Sequence, residues 1–323
     1  MSVITLPARS AQPGKMRMLN PLSDSAAVAD LIRLCFQISG KQESRHSTVF
    51  PYLSKLSSWI PTLSEAISLP RTGFVWEQDG KIVGNVSLIP FVQPRRRIYL
   101  IANVATHPDY RRRGIGRTLT EQALHYARQR KADAVWLQVR NDNPTAIRIY
   151  ADLGFVERDR RTAWQSSWPV ETVLPQDSCR LGRRPASFWP RQKAWLRQIY
   201  PDEEAWYRRF DWEWLAPGLQ RALWRFLMDF EVHHWSVEKN GDLQAIVSWM
   251  PRNSGSNTLW LALSPQAEQP ALAFLLQHVR QTLSYHRHLS LDLPASLNDE
   301  ALRLAGFQPQ RTLLWMCAPG ATK

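Results

Sequence analysis

The feature that most constrains this chain is a repeat. VWEQDGKIVGNVSLIP, beginning at Val75, and SVEKNGDLQAIVSWMP, beginning at Ser236, align residue for residue, with Glu77 on Glu238, Gly80 on Gly241, Ser87 on Ser248 and Pro90 on Pro251. The segments that follow repeat in the same order: TLWLALSP echoes LIANVATHP, and NDEALRLAGFQ echoes AIRIYADLGFV. A chain of 323 residues suits two domains of ordinary size, and ordered self-similarity implies two copies of one α/β unit. The boundaries read as a first domain over 1–168, a Pro-rich linker over 169–189 and a second domain over 190–323.

Local signals place the elements. Val28, Leu31, Ile32, Cys35 and Phe36 share one helical face behind Ser23 or Asp24 as N-cap, predicting a first helix over roughly 24–36. GFVWEQDGKIVGNVSLIPF reads as a hairpin turning at Asp79-Gly80. The nearly continuous apolar run RIYLIANVATHP predicts a central strand, and ADAVWLQV a second buried strand, with Ile115, Leu119, Ala123, Tyr126 and Ala127 on one face of the helix between them. Asn143 is placed to cap a short helix that has Pro144 at its first position and Gly154 at its end. Residues 155–168 read as the closing hairpin of the first domain. Leu272, Leu275, Leu276, Val279 and Leu283 predict an amphipathic helix in the second copy, and LSLDLP a short strand.

Composition narrows the class. The chain is 44% hydrophobic and 21% charged, as expected of a folded globular protein. There is no apolar run long enough for a membrane span, no signal-peptide pattern, and no metal-ligand spacing around Cys35, Cys179 and Cys317. Free thiols and a cytoplasmic location are therefore expected, with neither membrane nor metal. Residues 1–170 hold 24 Lys+Arg against 13 Asp+Glu, so that +11 of the net +13 belongs to the first half. Such a field favours an anionic ligand without choosing among polyphosphate, nucleic acid and acidic surfaces. Ten of the 15 tryptophans lie between 189 and 315. They lack an interleaved basic stripe, so packing is their expected role rather than base stacking.

RRRGIGRTL, Arg111–Leu119, follows the central strand and opens a helix. It contains no Walker loop, and Leu119 stands where a dinucleotide fingerprint needs its third glycine. Two glycines at a helix mouth still allow close backbone approach, and the first free N–H groups converge on one spot that suits a pyrophosphate. Arg111, Arg112, Arg113 and Arg117 can add charge or stay solvated.

VATHPDYRRRGIGRTL, followed by NDNPTAIRIYADLGF, resembles the cofactor core of the GNAT acetyltransferases, whose signature Q/R-x-x-G-x-G/A follows a central strand. Arg111, Gly114 and Gly116 occupy the signature positions. The resemblance covers roughly residues 15–168 and implies an α/β fold of two GNAT-like domains, each a mixed, strongly twisted sheet flanked by helices. It also implies acetyl-CoA as cosubstrate, with its pyrophosphate on backbone N–H groups from Arg112 to Arg117, Ile115 included. The pantetheine arm is expected at Val104, Ala105, Thr106 and Asn143. The implied reaction is direct attack of a primary amine, on a small molecule or a protein, through a tetrahedral intermediate polarised by a backbone N–H at Val104 or Ala105.

Tyr150 stands where the family often keeps its general acid, and a packed helix tyrosine is the alternative. The central strand carries no carboxylate, so Glu77, His107 or a water chain remain for the base, with Glu77 ahead of His107. The second copy has Leu302 at the Tyr150 position and EQPALAF in place of the glycine loop, so it is expected to bind no acetyl-CoA. Tandem members with one eroded domain are known in the family. A rival reading, motivated by Arg95–Arg97, Arg111–Arg113 and Arg158–Arg161, is an acetyl-CoA sensor or an RNA- or ribosome-associated protein with little catalysis.

Overall fold

The computed structural model describes residues 14–36, 72–93, 96–167, 178–208, 210–227, 231–250, 257–286 and 288–320. The first half contains β1 (Lys15–Met18), α1 (Pro21–Phe36), β2 (Gly73–Gln78), β3 (Lys81–Gln93) and β4 (Arg96–Thr106). It continues with α2 (Ile115–Gln129), β5 (Ala134–Arg140), α3 (Pro144–Asp152) and β6 (Val156–Ser166). The second half has β7 (Cys179–Arg183), α4 (Trp189–Ile199), α5 (Ala205–Arg208), α6 (Leu219–Leu227), β8 (His233–Lys239) and β9 (Asp242–Trp249). It ends with β10 (Leu259–Leu263), α7 (Gln269–Thr282), β11 (Ser290–Pro294), α8 (Asp299–Leu304) and β12 (Phe307–Pro319).

The repeat is structural. Asp79 and Gly80 both have positive φ, as do Asn240 and Gly241, the pattern of a two-residue hairpin turn. The ladders above these turns share a defect, a register shift at Trp76/Glu77 in one and at Val237/Glu238 in the other. The expected apolar helix faces are also present: Ile115, Leu119, Ala123 and Ala127 of α2 are buried, as are Leu272, Leu275, Leu276 and Val279 of α7.

Two boundaries differ from expectation. α1 begins at Pro21 rather than 24, because Asn20 precedes it and its Oδ1 accepts from the Leu22 N–H at 3.0 Å. Ser23 and Asp24 lie inside the first turn, and the Asp24 carboxylate accepts from the Asn20 N–H at 2.8 Å. The stretch expected as linker contains β7, which pairs antiparallel with β8; as the end strand of its sheet it can be short and polar without exposing an apolar face. Residues 168–177 lie outside the described residues.

The largest departure is in strand partners. Residues 156–166 form a single strand, not a closing hairpin, because no turn chemistry interrupts them. The sheet orders are β1-β2-β3-β4-β5-β12-β6-β11 and β10-β9-β8-β7. The final strand of the chain therefore sits between β5 and β6, while β6 sits between β12 and β11, and each half lends a strand to the other. The cores follow the exchange: Leu314, Met316 and Ala318 of β12 pack into the first-half core, and Trp164 of β6 into the second-half core. A third cluster bridges them, with Trp136, Trp206 and Trp315 meeting at centroid separations of 5.9–6.4 Å. Packing, the expected role of the tryptophans, is what these residues do.

Among the described residues no helix is long and apolar enough to cross a membrane, and no cluster of three or more His, Cys, Asp or Glu could hold a metal ion. Cys35, Cys179 and Cys317 are free.

Candidate functional site

β4 and β5 run parallel and are paired only over Ile98–Ile101 and Ala134–Leu137. On their outer edges β5 pairs with β12 over Ala134–Arg140 and β4 pairs with β3 over Arg96–Thr106, so beyond Ile101 and Leu137 only the two facing edges lose their partner. A wedge-shaped gap opens at Ile101 and Leu137, and the β4 edge along it carries backbone donors and acceptors that no strand among the described residues covers. Val104, Ala105 and Thr106, expected at a ligand arm, lie along this edge.

A bulge shapes the edge. Asn85 pairs with Ala105 and Ser87 with Ala102, so two residues of β4 face Val86 alone, and Asn103 takes φ +52°. Asn is the residue type that best tolerates this left-handed conformation after glycine. The Asn85 side chain, fully buried, fixes the bulge by donating from Nδ2 to the Asn103 carbonyl at 2.9 Å and to Ser87 Oγ at 3.3 Å. Asn85 and Asn103 were missed by sequence reasoning; the only signal was an asparagine inside each of two otherwise apolar runs.

The β4 end leads directly into the glycine loop. The His107 N–H donates to the Val83 carbonyl at 2.8 Å, a short turn spans Pro108–Tyr110, and Gly114 caps α2 with φ +79° and no side-chain cap bond. The leading N–H groups of α2 therefore carry no side-chain cap. A Cβ on Gly114 would meet nothing within 4 Å, so the glycine is required there for its φ; one on Gly116 would lie 3.5 Å from Thr106 Oγ1, at ordinary contact.

The four arginines differ. Arg111 Nε donates to the Thr106 carbonyl at 3.3 Å, Arg113 Nη2 donates to the Asp109 carbonyl at 3.2 Å while stacking on Tyr110, and Arg117 pairs with Asp152 at 3.1 Å. The exposed Arg112, at φ +61°, is the member of the four without a side-chain partner among the described residues. Cys35, from the end of α1, donates to the same Thr106 carbonyl at 3.1 Å, and burial pushes its thiol pKa up.

Asn143 caps α3 as expected, its Oδ1 accepting from the Ala146 N–H at 3.2 Å. Tyr150 is buried in the first-half core, edge-on to Phe155 at 6.2 Å, and desolvation pushes its phenol up to about 12. It is therefore protonated at neutral pH. Glu77 is held elsewhere: its Oε2 accepts from Arg17 Nε at 2.7 Å, and Arg17 also grips Asp24 of α1 at 2.7 Å. The hydrogen bond from Arg17 keeps Glu77 below the usual carboxylate range, which stabilises the charge and weakens its basicity. His107 Nδ1 accepts from the Asp109 N–H at 3.3 Å, which is turn chemistry.

In the second half, fully buried Leu302 occupies the place of Tyr150. The equivalent helix, α7, is preceded by Glu268, whose carboxylate is paired with Lys239, and carries Pro270 in its first turn. A carboxylate and a missing N–H make this helix start a poor anion site.

A mixed sheet splayed beside an open, glycine-capped helix defines a class, and sequence comparison agrees: the acetyltransferase (GNAT) family model matches residues 27–155. The chain belongs to the GNAT acetyltransferase family, in a tandem arrangement. It is 31% identical over 122 residues to the peptidyl-lysine N-acetyltransferase YiaC of Escherichia coli, covering 36% of this chain and 75% of the relative. It is 37% identical over 91 residues to the mycothiol acetyltransferase of Tsukamurella paurometabola, covering 28% of this chain and 31% of the relative. The matched region spans about a third of the length of the first curated relatives. In fold, it resembles a tandem GNAT protein from the clavulanic acid biosynthesis pathway at TM-score 0.50 and 15% identity, over 96% of this chain and 100% of that one.

Proposed function

We propose that this chain is an N-acetyltransferase that moves an acetyl group from acetyl-CoA to a primary amine of a small molecule or protein. The observation that carries the reading is the meeting, at the end of β4, of the gap beyond Ile101 and Leu137 with the open start of α2 at Gly114. Acetyl-CoA supplies an activated thioester and a pyrophosphate. Backbone N–H groups from Arg112 to Arg117 hold the pyrophosphate, and the Arg112 guanidinium adds charge. Val104, Ala105 and Thr106 accept the pantetheine arm along the β4 edge, with Asn143 contributing its Nδ2 because its Oδ1 is committed to the cap. A backbone N–H at Val104 or Ala105, aimed by the Asn103 bulge, polarises the thioester carbonyl.

The ammonium passes a proton to water, the amine nitrogen bonds to the acetyl carbon, and a second proton leaves that nitrogen through water, which returns one to the Tyr150 phenolate after it has protonated the sulfur. The carbon–sulfur bond then breaks, and the departing sulfur takes the Tyr150 proton. The support for this assignment is the position of Tyr150 on α3, seven residues after Asn143, and that a phenol is protonated throughout the neutral range. The second half carries no acetyl-CoA site, in line with Leu302, Glu268 and Pro270 at the positions concerned.

Calorimetry with acetyl-CoA, followed by assay of CoA release against a panel of amines, tests the reading. Micromolar binding that weakens in Gly114→Val is the expected result. Binding indifferent to that change, or no CoA release with any amine, overturns it.

A further inference from the structure

On the face of the large sheet opposite Tyr150 lies a cleft built by both halves. Gln138, Leu313 and Trp315 line it, while their neighbours Leu137, Leu314 and Met316 point into the Tyr150 core, as alternation along a strand requires. Gln138 is the first residue of β5 beyond the last β4 pair, so the cleft reaches the apex of the gap. Its far wall is the second half's segment around α5, which contributes Tyr200, Glu204, Tyr207 and Arg208.

The charges in this cleft are not all spent. Arg161, 3% exposed, is saturated: it donates to Asp159 Oδ2 at 3.0 Å and to the carbonyls of Ile199 at 3.0 Å and Asp292 at 2.8 Å, with Asp292 Oδ1 3.3 Å from its Nε. Arg208 is different. Its side chain is 9% exposed, its guanidinium lies over the Tyr200 and Trp212 rings, its Nη2 donates to the Tyr200 and Pro201 carbonyls at 2.9 and 2.8 Å, and its buried Nε and Nη1 have no hydrogen-bond acceptor among the described residues. Guanidinium N–H groups taken from water without acceptors are costly, and a bound carboxylate would satisfy both in a fork. The Glu204 carboxyl lies beside it, with Oε2 3.9 Å from Arg208 Nη1 and 3.9 Å from Arg161 Nη1, too far for a hydrogen bond to either.

We propose that this cleft is the acceptor site and that it takes an α-amino acid with an apolar side chain, its carboxylate on Arg208 and its amine on Glu204. The two side chains stand next to each other as a carboxyl beside a guanidinium, and an α-amino acid places its amine and its carboxylate two bonds apart. Trp260, Leu259, Leu313 and Met250 supply the apolar wall. Burial pushes Glu204 up to about 8, with a neighbouring Asp159 acting in the same direction and Arg161 against it. In its ionised form the Glu204 carboxylate can take a proton from an ammonium group. It would supply the base that the central strand lacks.

The inference rests on the acetyl-transfer reading, and the test separates the two. L-phenylalanine, L-phenylalaninamide and phenethylamine are titrated by calorimetry into the full chain without acetyl-CoA, acetyl-CoA is titrated separately, and CoA release is then followed with each amine. L-phenylalanine is expected to bind about tenfold or more tighter than the two analogues that lack a carboxylate, and to be acetylated. Arg208→Gln should bring it down to their level while leaving them unchanged, and Glu204→Gln should weaken all three. Equal affinity for the acid and its amide in the unaltered chain, which needs no variant, overturns the inference; so does binding of L-phenylalanine without acetyl transfer to it. Acetyl-CoA binding without L-phenylalanine binding overturns this inference alone, whereas failure of acetyl-CoA to bind overturns the acetyl-transfer reading.

Discussion

Met316 of β12 is in register with Leu137 of β5, and Leu137 is in turn the last residue of β5 that holds β4. A residue near the end of the chain therefore braces the apex of the gap that the first half presents to its ligand. On its other side Met316 pairs with Glu157 of β6, so one strand ties together two strands of the other half.

This pairing predicts that the halves cannot be parted. Residues 1–168 expressed alone would leave β5 with a bare edge and β6 without either of its strand partners, and would remove Leu314 and Met316 from the core. They should be aggregated or lack near-UV dichroism, and co-expression with residues 178–323 should restore both. The full chain should melt in one calorimetric transition. Two well-separated transitions, or a soluble, well-folded fragment, would contradict the exchange.

At the glycine loop, a side chain on Gly114 must adopt φ near +79°, at a cost of roughly 1–2 kcal/mol. Gly114→Val should lower stability in urea by about that amount and weaken acetyl-CoA binding at least about tenfold by crowding the helix N-terminus. Gly116→Ala places a methyl group at ordinary contact distance from Thr106 and should fold normally. Equal effects of the two changes would show that the left-handed cap is not what the site needs.

Much of this architecture was legible because its signals are local. Asp79-Gly80 marks a turn, Asn143-Pro144 marks a helix start, and Ile115, Leu119 and Ala123 mark a buried face, each through residues within a few positions of one another. The strand exchange was not, because residues 156–166 and 307–319 both read as strands and nothing local names the partner of either. The cleft was hidden for a related reason: Glu204 is brought beside Arg161 of β6 only by the fold, and nothing local in its segment marks that partner. Glu77 was legible as a carboxylate on the first hairpin, whereas its commitment to Arg17 depends on β1 pairing with β2.

The β4 bulge gives a further test. Asn103→Gly should preserve stability and binding, since glycine accepts φ +52° freely. Asn103→Val, β-branched in a left-handed conformation, should cost roughly 1–2 kcal/mol in urea melts and weaken acetyl-CoA binding by moving the Val104 and Ala105 N–H groups. Unchanged binding in Asn103→Val would detach the bulge from the ligand.

Glu77→Gln distinguishes an ion-pair role from that of a base. As partner of Arg17, Glu77 has a carboxyl depressed below its ordinary 4.5. Its contribution to stability is then present above that pH and lost as pH falls through the lower folded-state value. The variant should melt below the unaltered protein at pH 7 and converge with it in acid, while the pH profile of CoA release keeps its shape. A collapsed rate at pH 7 with an unchanged melting curve would make Glu77 the base instead.

Tyr150→Phe removes one oxygen from a packed ring and should leave acetyl-CoA affinity and the fold near their original values. If the phenol protonates the departing thiolate, kcat should fall by about 100-fold or more while KM for the amine changes little. The pH dependence supplies a second readout. With the phenol at about 12 in the folded state against an ordinary 10, the proton stays on Tyr150 through the assay range, so the unaltered enzyme should show no loss of rate from this group below pH 10. The stability this shift confers is fully present below the ordinary value and lost as pH rises through about 12, and Tyr150→Phe should flatten that part of the alkaline unfolding curve. A variant that loses alkaline sensitivity but keeps its rate would make Tyr150 a core residue and move the acid elsewhere.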